Sequence, residues 1–316
     1  MRRHVLQATG LAMAAAVALT GCGGTGEVAD AEASVATEAA FPRTVEHAMG
    51  ATDIPARPER VVVLDTGELD SVLSLGVTPV GAVTTAVSQA FLSYLAEGAA
   101  GVEVVGTIAE PNLEAIAALQ PDLILSNKVR HEDLYAQLSQ LAPTVFAERV
   151  GAVWKDNFAL AAEALGLEDE AAAAMADYER AAAALGESLG DPAGTTVSPL
   201  RFVAGTIRSY QPASFIGTVL ADIGLRQVEL PTGEVPTFAE LSAEELTTAD
   251  ADIVLHSSYG PAGDSGATAV LGGPLWPRLE AVQNDRAYPV EDDVFFTGIG
   301  LTAATLIVED LAEQLA

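Results

Sequence analysis

Cysteine occurs once in the chain, at Cys22, so neither an intramolecular disulfide nor a thiolate metal site can form. Lysine is nearly as scarce: Lys128 and Lys155 are the only two. The 15 Lys and Arg together face 44 Asp and Glu, for a formal net charge of −29. A surface of that sign repels a phosphate backbone, so nucleic acid is not an expected partner. Aromatic residues make up 5% of the chain, and much of its 50% hydrophobic content is alanine, the composition of a helix-rich globular protein. Only one segment, near the start, is apolar enough to enter a membrane, which excludes a polytopic membrane protein. The remaining length, within 316 residues, has room for two hydrophobic cores of about 150 residues each.

Residues 1–21 run from Arg2-Arg3-His4 through an apolar stretch centred on Leu11 to Leu19 and end at Thr20-Gly21, directly before Cys22. This is the pattern of a signal peptide. Its ending resembles a bacterial lipobox, which implies cleavage before Cys22 and acylation of its sulfur. Residues 22–40, rich in Gly, Ala, Glu and Thr, then form a flexible tether. The expected location is extracytoplasmic, on the cell membrane, with the lipid as sole anchor. Arg2-Arg3 also fits a twin-arginine export signal, and the sequence leaves both routes open.

From residue 60, short β-branched runs alternate with amphipathic stretches. Arg60 to Asp65, Pro79 to Val83, Val102 to Gly106, Asp122 to Ser126 and Thr144 to Ala147 read as strands, with helices near Glu68, Gln89, Leu113 and Glu132 between them. That rhythm predicts an α/β lobe over 41–152 with a mostly parallel sheet. It stops over 153–190, where good helix formers are broken only around Gly166, and a helix from Glu168 would be long enough to cross between lobes. The rhythm resumes over 191–316, with strands expected at Leu200 to Gly205, Leu225 to Leu230, Asp252 to Ser257 and Arg286 to Val290.

Several phrases recur in a recognisable order: Ile54-Pro55-Ala56-Arg57-Pro58-Glu59-Arg60-Val61, Leu73-Ser74-Leu75-Gly76-Val77, Pro111-Asn112-Leu113-Glu114-Ala115-Ile116, Leu119-Gln120-Pro121-Asp122, Leu241-Ser242-Ala243-Glu244-Glu245-Leu246 and Pro274-Leu275-Trp276. Together, behind a lipobox, they resemble the iron-siderophore and cobalamin class of ABC-transporter substrate-binding proteins. The resemblance implies the class III periplasmic-binding-protein fold, two Rossmann-like α/β lobes joined by a long interdomain helix. It implies a monomeric receptor, without enzymatic activity or cofactor, that binds a ferric siderophore in the cleft and delivers it to an ABC-importer permease. Cobalamin and haem are the alternative cargoes on the same scaffold.

By motif position, Glu114 and Glu244 correspond to the family's permease-docking glutamates. Each also sits where a helix dipole favours an acid, behind Asn112 or Ser242 as N-cap, and Ser242 with Glu245 has the capping-box spacing. Anionic or oxygen-rich chelates call for arginine forks and aromatic walls. The candidates at strand ends are Arg208 and Tyr210, Arg130, Arg149, Trp154 beyond it, Tyr259, and Phe295 with Phe296 before the last helix. Arg57 and Arg60 precede a strand and are expected to be structural.

Zinc or manganese would need His47, His131 and His256 to converge, but His47 lies ahead of the first expected strand and His256 within one, so no direct metal site is expected. Gly186-Glu187-Ser188-Leu189-Gly190 matches the serine-hydrolase pattern but ends a helix instead of forming a strand-to-helix elbow. Gly298-Ile299-Gly300-Leu301-Thr302-Ala303 matches a dinucleotide fingerprint, yet no strand or acidic ribose ligand follows it. Both are read as chance matches.

Overall fold

The computed structural model describes residues 41–315. The expected signal peptide and tether, with Cys22, lie outside the described residues. A hairpin of β1 (Arg43–His47) and β2 (Gly50–Ile54) comes first. His47 pins it to the lobe that follows: its Nδ1 accepts from the Phe146 amide at 3.3 Å, and Nε2 meets Thr52 Oγ1, whose hydroxyl donates to the Thr144 carbonyl. His47 is thus structural, in a hairpin that the sequence reading did not anticipate.

The first sheet contains β3 (Val61–Val63), β4 (Gly81–Thr84), β5 (Glu103–Thr107), β6 (Leu123–Asn127) and β7 (Thr144–Ala147), all parallel in the order β5-β4-β3-β6-β7. The Val61-Val62-Val63 run is buried throughout because helices cover both faces of a parallel sheet. Helix Thr66–Ser74 starts where the Asp65 carboxylate accepts from the Thr66 amide at 2.7 Å. The helix expected near Gln89 is only a 3₁₀ turn, Ser93–Leu95.

The second sheet is mixed. It contains β8 (Thr196–Val203), β9 (Thr206–Tyr210), the two-residue β10 (Arg226–Gln227), β11 (Phe238–Leu241), β12 (Ile253–Ser258) and β13 (Ala287–Pro289). The order is β11-β9-β8-β12-β13, with β10 also paired to β8, and β9 runs antiparallel to both its neighbours. Neither β9 nor β11 was expected. Conversely, the strand expected over Leu225 to Leu230 shrinks to Arg226 and Gln227.

The connection between the sheets is two helices, Trp154–Leu165 and Glu168–Ser188, separated where Gly166 turns left-handed at φ 68°. At 1.5 Å per residue the second is about 32 Å long. It is the shorter helix that bridges the cores. Its Ala161, Ala164 and Leu165 pack with the first sheet, and its Trp154, Phe158 and Ala162 with the second. The Glu168 helix lies on the second lobe, against helices Phe215–Ile223 and Leu301–Leu315. Gly186 permits that approach, since a Cβ there would stand 2.2 Å from the Ile223 carbonyl oxygen. The first glycine of the serine-hydrolase pattern therefore serves helix packing, and Ser188 Oγ donates to its own helix at Leu185. Among the described residues no helix is long and apolar enough to cross a membrane.

Candidate functional site

A cavity of about 580 Å³ lies between the lobes, within the range typical of small-molecule sites. The first lobe walls it with the residues just beyond the carboxyl ends of its parallel strands: Asp65 and Thr66 after β3, Thr85 after β4, Ile108 after β5, Arg130 after β6, and Val150 after β7. This is where an open parallel sheet presents its loops. The second lobe supplies Arg201, Tyr210, Phe238, Tyr259, Phe296 and Thr297. An adjoining cavity of about 680 Å³ shares Val129, Arg130 and Thr237 with the first and adds Lys128 and Arg149.

Arg201 is the buried cation of this site, and the sequence reading missed it. It stands inside β8, whereas the expected ligand residues follow strands. Its Nε donates to Asp292 Oδ1 at 2.7 Å, Nη2 to Asp292 Oδ2 and Thr297 Oγ1, and Nη1 to the Tyr210 hydroxyl at 3.3 Å. The guanidinium carbon sits 4.3 Å from the centroid of the Tyr259 ring. Burial works against its charge, but Asp292 and Tyr210 more than offset that and hold its pKa above the ordinary arginine value. Four of its five N–H donors are thereby engaged, leaving one on Nη1. An arginine set between Leu200 and Phe202 inside a strand is the signal that points to it.

Arg130 faces Arg201's lobe from the other side of the cavity and is held more loosely. Its Nε reaches Asp65 Oδ2 at 3.3 Å, and its side chain is 45% exposed. Beneath it Asn127 donates to both Asp65 Oδ2 and Glu68 Oε1 at 3.1 Å. Among the described residues Glu68 Oε2 has no partner, beside a water-sized void of about 20 Å³ also lined by Ser71, Ser126 and Asn157. Burial, reinforced by the Asp65 charge, pushes the Glu68 carboxyl up to about 8. His131, next to Arg130, is tied to Ser126 through Nδ1 and to the Ile108 carbonyl through Nε2 at 2.7 Å, so it braces a cavity loop.

The structure brings four of the expected ligand residues to the main cavity: Arg130, Tyr210, Tyr259 and Phe296. Arg149 lines the adjoining one. Arg208 lines neither. Its Nη2 pairs with Glu240 at 3.4 Å and its guanidinium stacks on Phe238 at 4.3 Å, because the β9–β11 register places Glu240 directly across from it and Phe238 diagonally. Trp154 is withdrawn into the second lobe's core, 1% exposed, with its indole N–H on Thr218 Oγ1 at 3.0 Å and its ring edge-on to Tyr178 and Phe215. Phe295, also 1% exposed, belongs to the same core; Phe296, next to it in the π-helical turn Asp293–Thr297, packs there too but also reaches the cavity wall.

Glu114 and Glu244 are both exposed. Each lies in the first helical turn after the carboxyl end of an edge strand, β5 in one sheet and β11 in the other. Asn112 accepts from the amides of Glu114 and Ala115, and Glu245 accepts from the Ser242 amide at 2.9 Å, so both turns are capped. Among the described residues, no three His, Cys, Asp or Glu side chains converge as a metal site. His256 is far from such a role: its ring stands edge-on to Trp276 at 5.0 Å, and burial drives its pKa down to about 4.

The family model described as periplasmic binding protein matches residues 61–294. Over 98% of both chains, the sequence is 37% identical to the probable siderophore-binding lipoprotein YfiY of Bacillus subtilis. It is 28% identical to the Fe(3+) dicitrate-binding periplasmic protein FecB of Escherichia coli, over 86% of this chain and 89% of that one. The crystal structure of Staphylococcus aureus SirA complexed with staphyloferrin B superposes with a TM-score of 0.76 at 29% identity, covering 86% of this chain and 98% of the other. With two α/β lobes around a ligand-sized cavity and a family match spanning both sheets, this chain belongs to the periplasmic binding protein family.

Proposed function

We propose that this protein is the lipid-anchored, extracytoplasmic receptor of an ABC importer, binding a ferric siderophore between its lobes and presenting it to the permease. The observation that carries the reading is the pair of arginines, Arg130 and Arg201, that opposite lobes bring to one aromatic-walled cavity. Guanidinium forks suit the carboxylate and other anionic oxygens at the edge of a ferric chelate, and Tyr210, Tyr259 and Phe296 supply its apolar walls. Each arginine already has a carboxylate, Asp65 or Asp292, so the cavity carries little net charge of its own. That balance favours a neutral or modestly anionic complex over a highly charged one.

The names of the relatives support iron chelates as the cargo class. No histidine or methionine is among the residues lining the cavity, which weighs against haem. Cys22 would carry the anchor, and Glu114 and Glu244 would meet the permease, with the protein acting as a monomer.

Calorimetric titration of the purified protein with ferric citrate, ferric staphyloferrin B, a ferric hydroxamate, a ferric catecholate, cobalamin and haem tests the reading. Saturable submicromolar binding of one ferric chelate is the expected result. Saturation by cobalamin or haem alone would refute the iron assignment, and saturation by none would refute the receptor reading.

A further inference from the structure

The run Gly298-Ile299-Gly300-Leu301-Thr302-Ala303 opens the 15-residue helix Leu301–Leu315 as a dinucleotide fingerprint would, and the amides of its first turn do hold an anion. The anion comes from the other lobe. Asp70, on helix Thr66–Ser74, is completely buried; its Oδ1 accepts from the Thr302 amide at 2.9 Å and its Oδ2 from the Ala303 amide at 3.1 Å. The Tyr94 hydroxyl, also from the first lobe, donates to Oδ2 at 3.0 Å. A carboxylate at a helix N-terminus satisfies otherwise unbonded amides and meets the positive end of the dipole.

The glycines are there because the lobes meet at this point. Gly300 has φ 153°, and a Cβ on it would lie 2.5 Å from Asp70 Cγ; one on Gly298 would lie 2.7 Å from the Tyr94 hydroxyl. The same segment leads directly back into the cleft. Thr297 and Phe296 line the cavity, and Thr297 Oγ1 bonds both Arg201 and Asp292. Asp293, in the π-helical turn, accepts from the Ser93 amide of the first lobe at 2.8 Å. Residues 292–303 therefore touch the cavity on one side and the opposite lobe on the other. π-Helical turns recur at functional positions.

We infer that Asp70 is a positioning residue: by occupying the glycine-rich turn it fixes the angle between the lobes, and through Thr297 and Arg201 it sets how long the cleft retains its ligand. The second half of this inference rests on the receptor reading, and the first half does not. The clasp itself is polar, whereas the Trp154 helix, together with Leu75 and the Tyr94 ring of the first lobe against the second lobe's core, joins the lobes through apolar packing. Loss of the clasp therefore loosens the angle without separating the lobes.

The test uses the full chain with Cys22→Ser and nitroxide labels on Gln137→Cys and Thr232→Cys, both exposed, one in each lobe. Pulsed electron resonance gives the interlobe distance without ligand, and stopped flow gives the dissociation rate of ferric citrate and ferric staphyloferrin B. Asp70→Asn should broaden the distance distribution and raise the dissociation rate about tenfold or more, and Tyr94→Phe should do both to a smaller degree. If Asp70→Asn fails to fold, Tyr94→Phe alone carries the test. An unchanged distance distribution in a folded variant would overturn the inference, and so would a broadened one with an unaltered dissociation rate. Broadening in a protein whose parent binds no chelate would support the clasp and refute the receptor reading instead.

Discussion

The two lobes hold their cleft arginines in opposite ways. In the second lobe Arg201 is 8% exposed, forked onto Asp292, bonded to Thr297 and Tyr210, and covered by the Tyr259 ring. In the first, Arg130 has one 3.3 Å contact with Asp65 and a largely free side chain. One lobe thus presents a fixed charge whose ordering cost was met when the protein folded, and the other a long arm that must be ordered when ligand arrives. A site with one rigid and one adaptable wall can hold a common chelate core on the first while the second accommodates variation around it.

Replacing the fixed arginine should have the largest effect. Arg201→Ala is expected to lower chelate affinity more than a hundredfold and also to lower the Tm, because it strands Asp292; breaking a buried pair in this way costs about 3–5 kcal/mol. Titration with ferric chelate and a thermal melt on the same sample would show both, and an unchanged Tm would mean that the Arg201 cluster is not the rigid wall described. Arg130→Ala should separate those two readouts. Loss of a charged hydrogen bond to ligand costs about 1.5–3 kcal/mol, while the buried Asp65 loses only one 3.3 Å contact and stays held by the Thr66 amide and Asn127. Affinity should fall with little change in Tm, and a fall in Tm of the size seen for Arg201→Ala would erase the contrast between the lobes.

Charge reversal at the two edge-strand glutamates probes a feature the lobes share. Glu114→Lys with Glu244→Lys should abolish most uptake in cells and leave chelate affinity intact; loss of affinity would place these residues at the ligand. A smaller effect tests what lies beneath the adaptable arm. The raised pKa of Glu68 means that the unfolded chain ionises near pH 4.5 while the folded protein retains the proton to about pH 8, so stability is lost as pH rises through that window. Glu68→Gln should therefore raise the Tm at pH 8 relative to the parent, by about 2–4 °C for each kcal/mol recovered, and do so much less at pH 5. An equal gain at both pH values would show that Glu68 ionises normally. The smallest effect is expected for Arg208→Ala, a partly exposed pair outside the cavity, whose chelate affinity should stay within about threefold of the parent.

The contrast also explains which parts of the site were legible in the sequence. The first lobe is a regular parallel sheet, so residues following its strands are cleft residues, and Arg130 was found by that rule. The second lobe breaks the rule. Its antiparallel β9 exposes a sheet face as the wall, and a face is built from residues inside strands, where Arg201 is found. The same strand misled the reading of Arg208, because β9 and β11 supply it with Glu240 and Phe238 before it can reach the cavity. Trp154 and Phe295 show another limit. An aromatic residue near a strand end is equally suited to wall or core, and only the packing of Tyr178 and Phe215 around Trp154, or the π-helical turn at Phe295, decides between them. The alternation of elements and the ordered motifs were enough for the architecture, since both depend on local pattern.

The short helix Trp154–Leu165 has a further consequence for how the molecule comes apart. Because its Ala161, Ala164 and Leu165 complete one hydrophobic core while its Trp154, Phe158 and Ala162 complete the other, neither lobe owns it. A chain divided after residue 152 would deprive the first lobe of part of its interior, and one divided after residue 190 would deprive the second. The lobes are therefore separate in architecture and joined in folding, so that denaturation should follow a single cooperative transition, with no half-molecule able to fold alone.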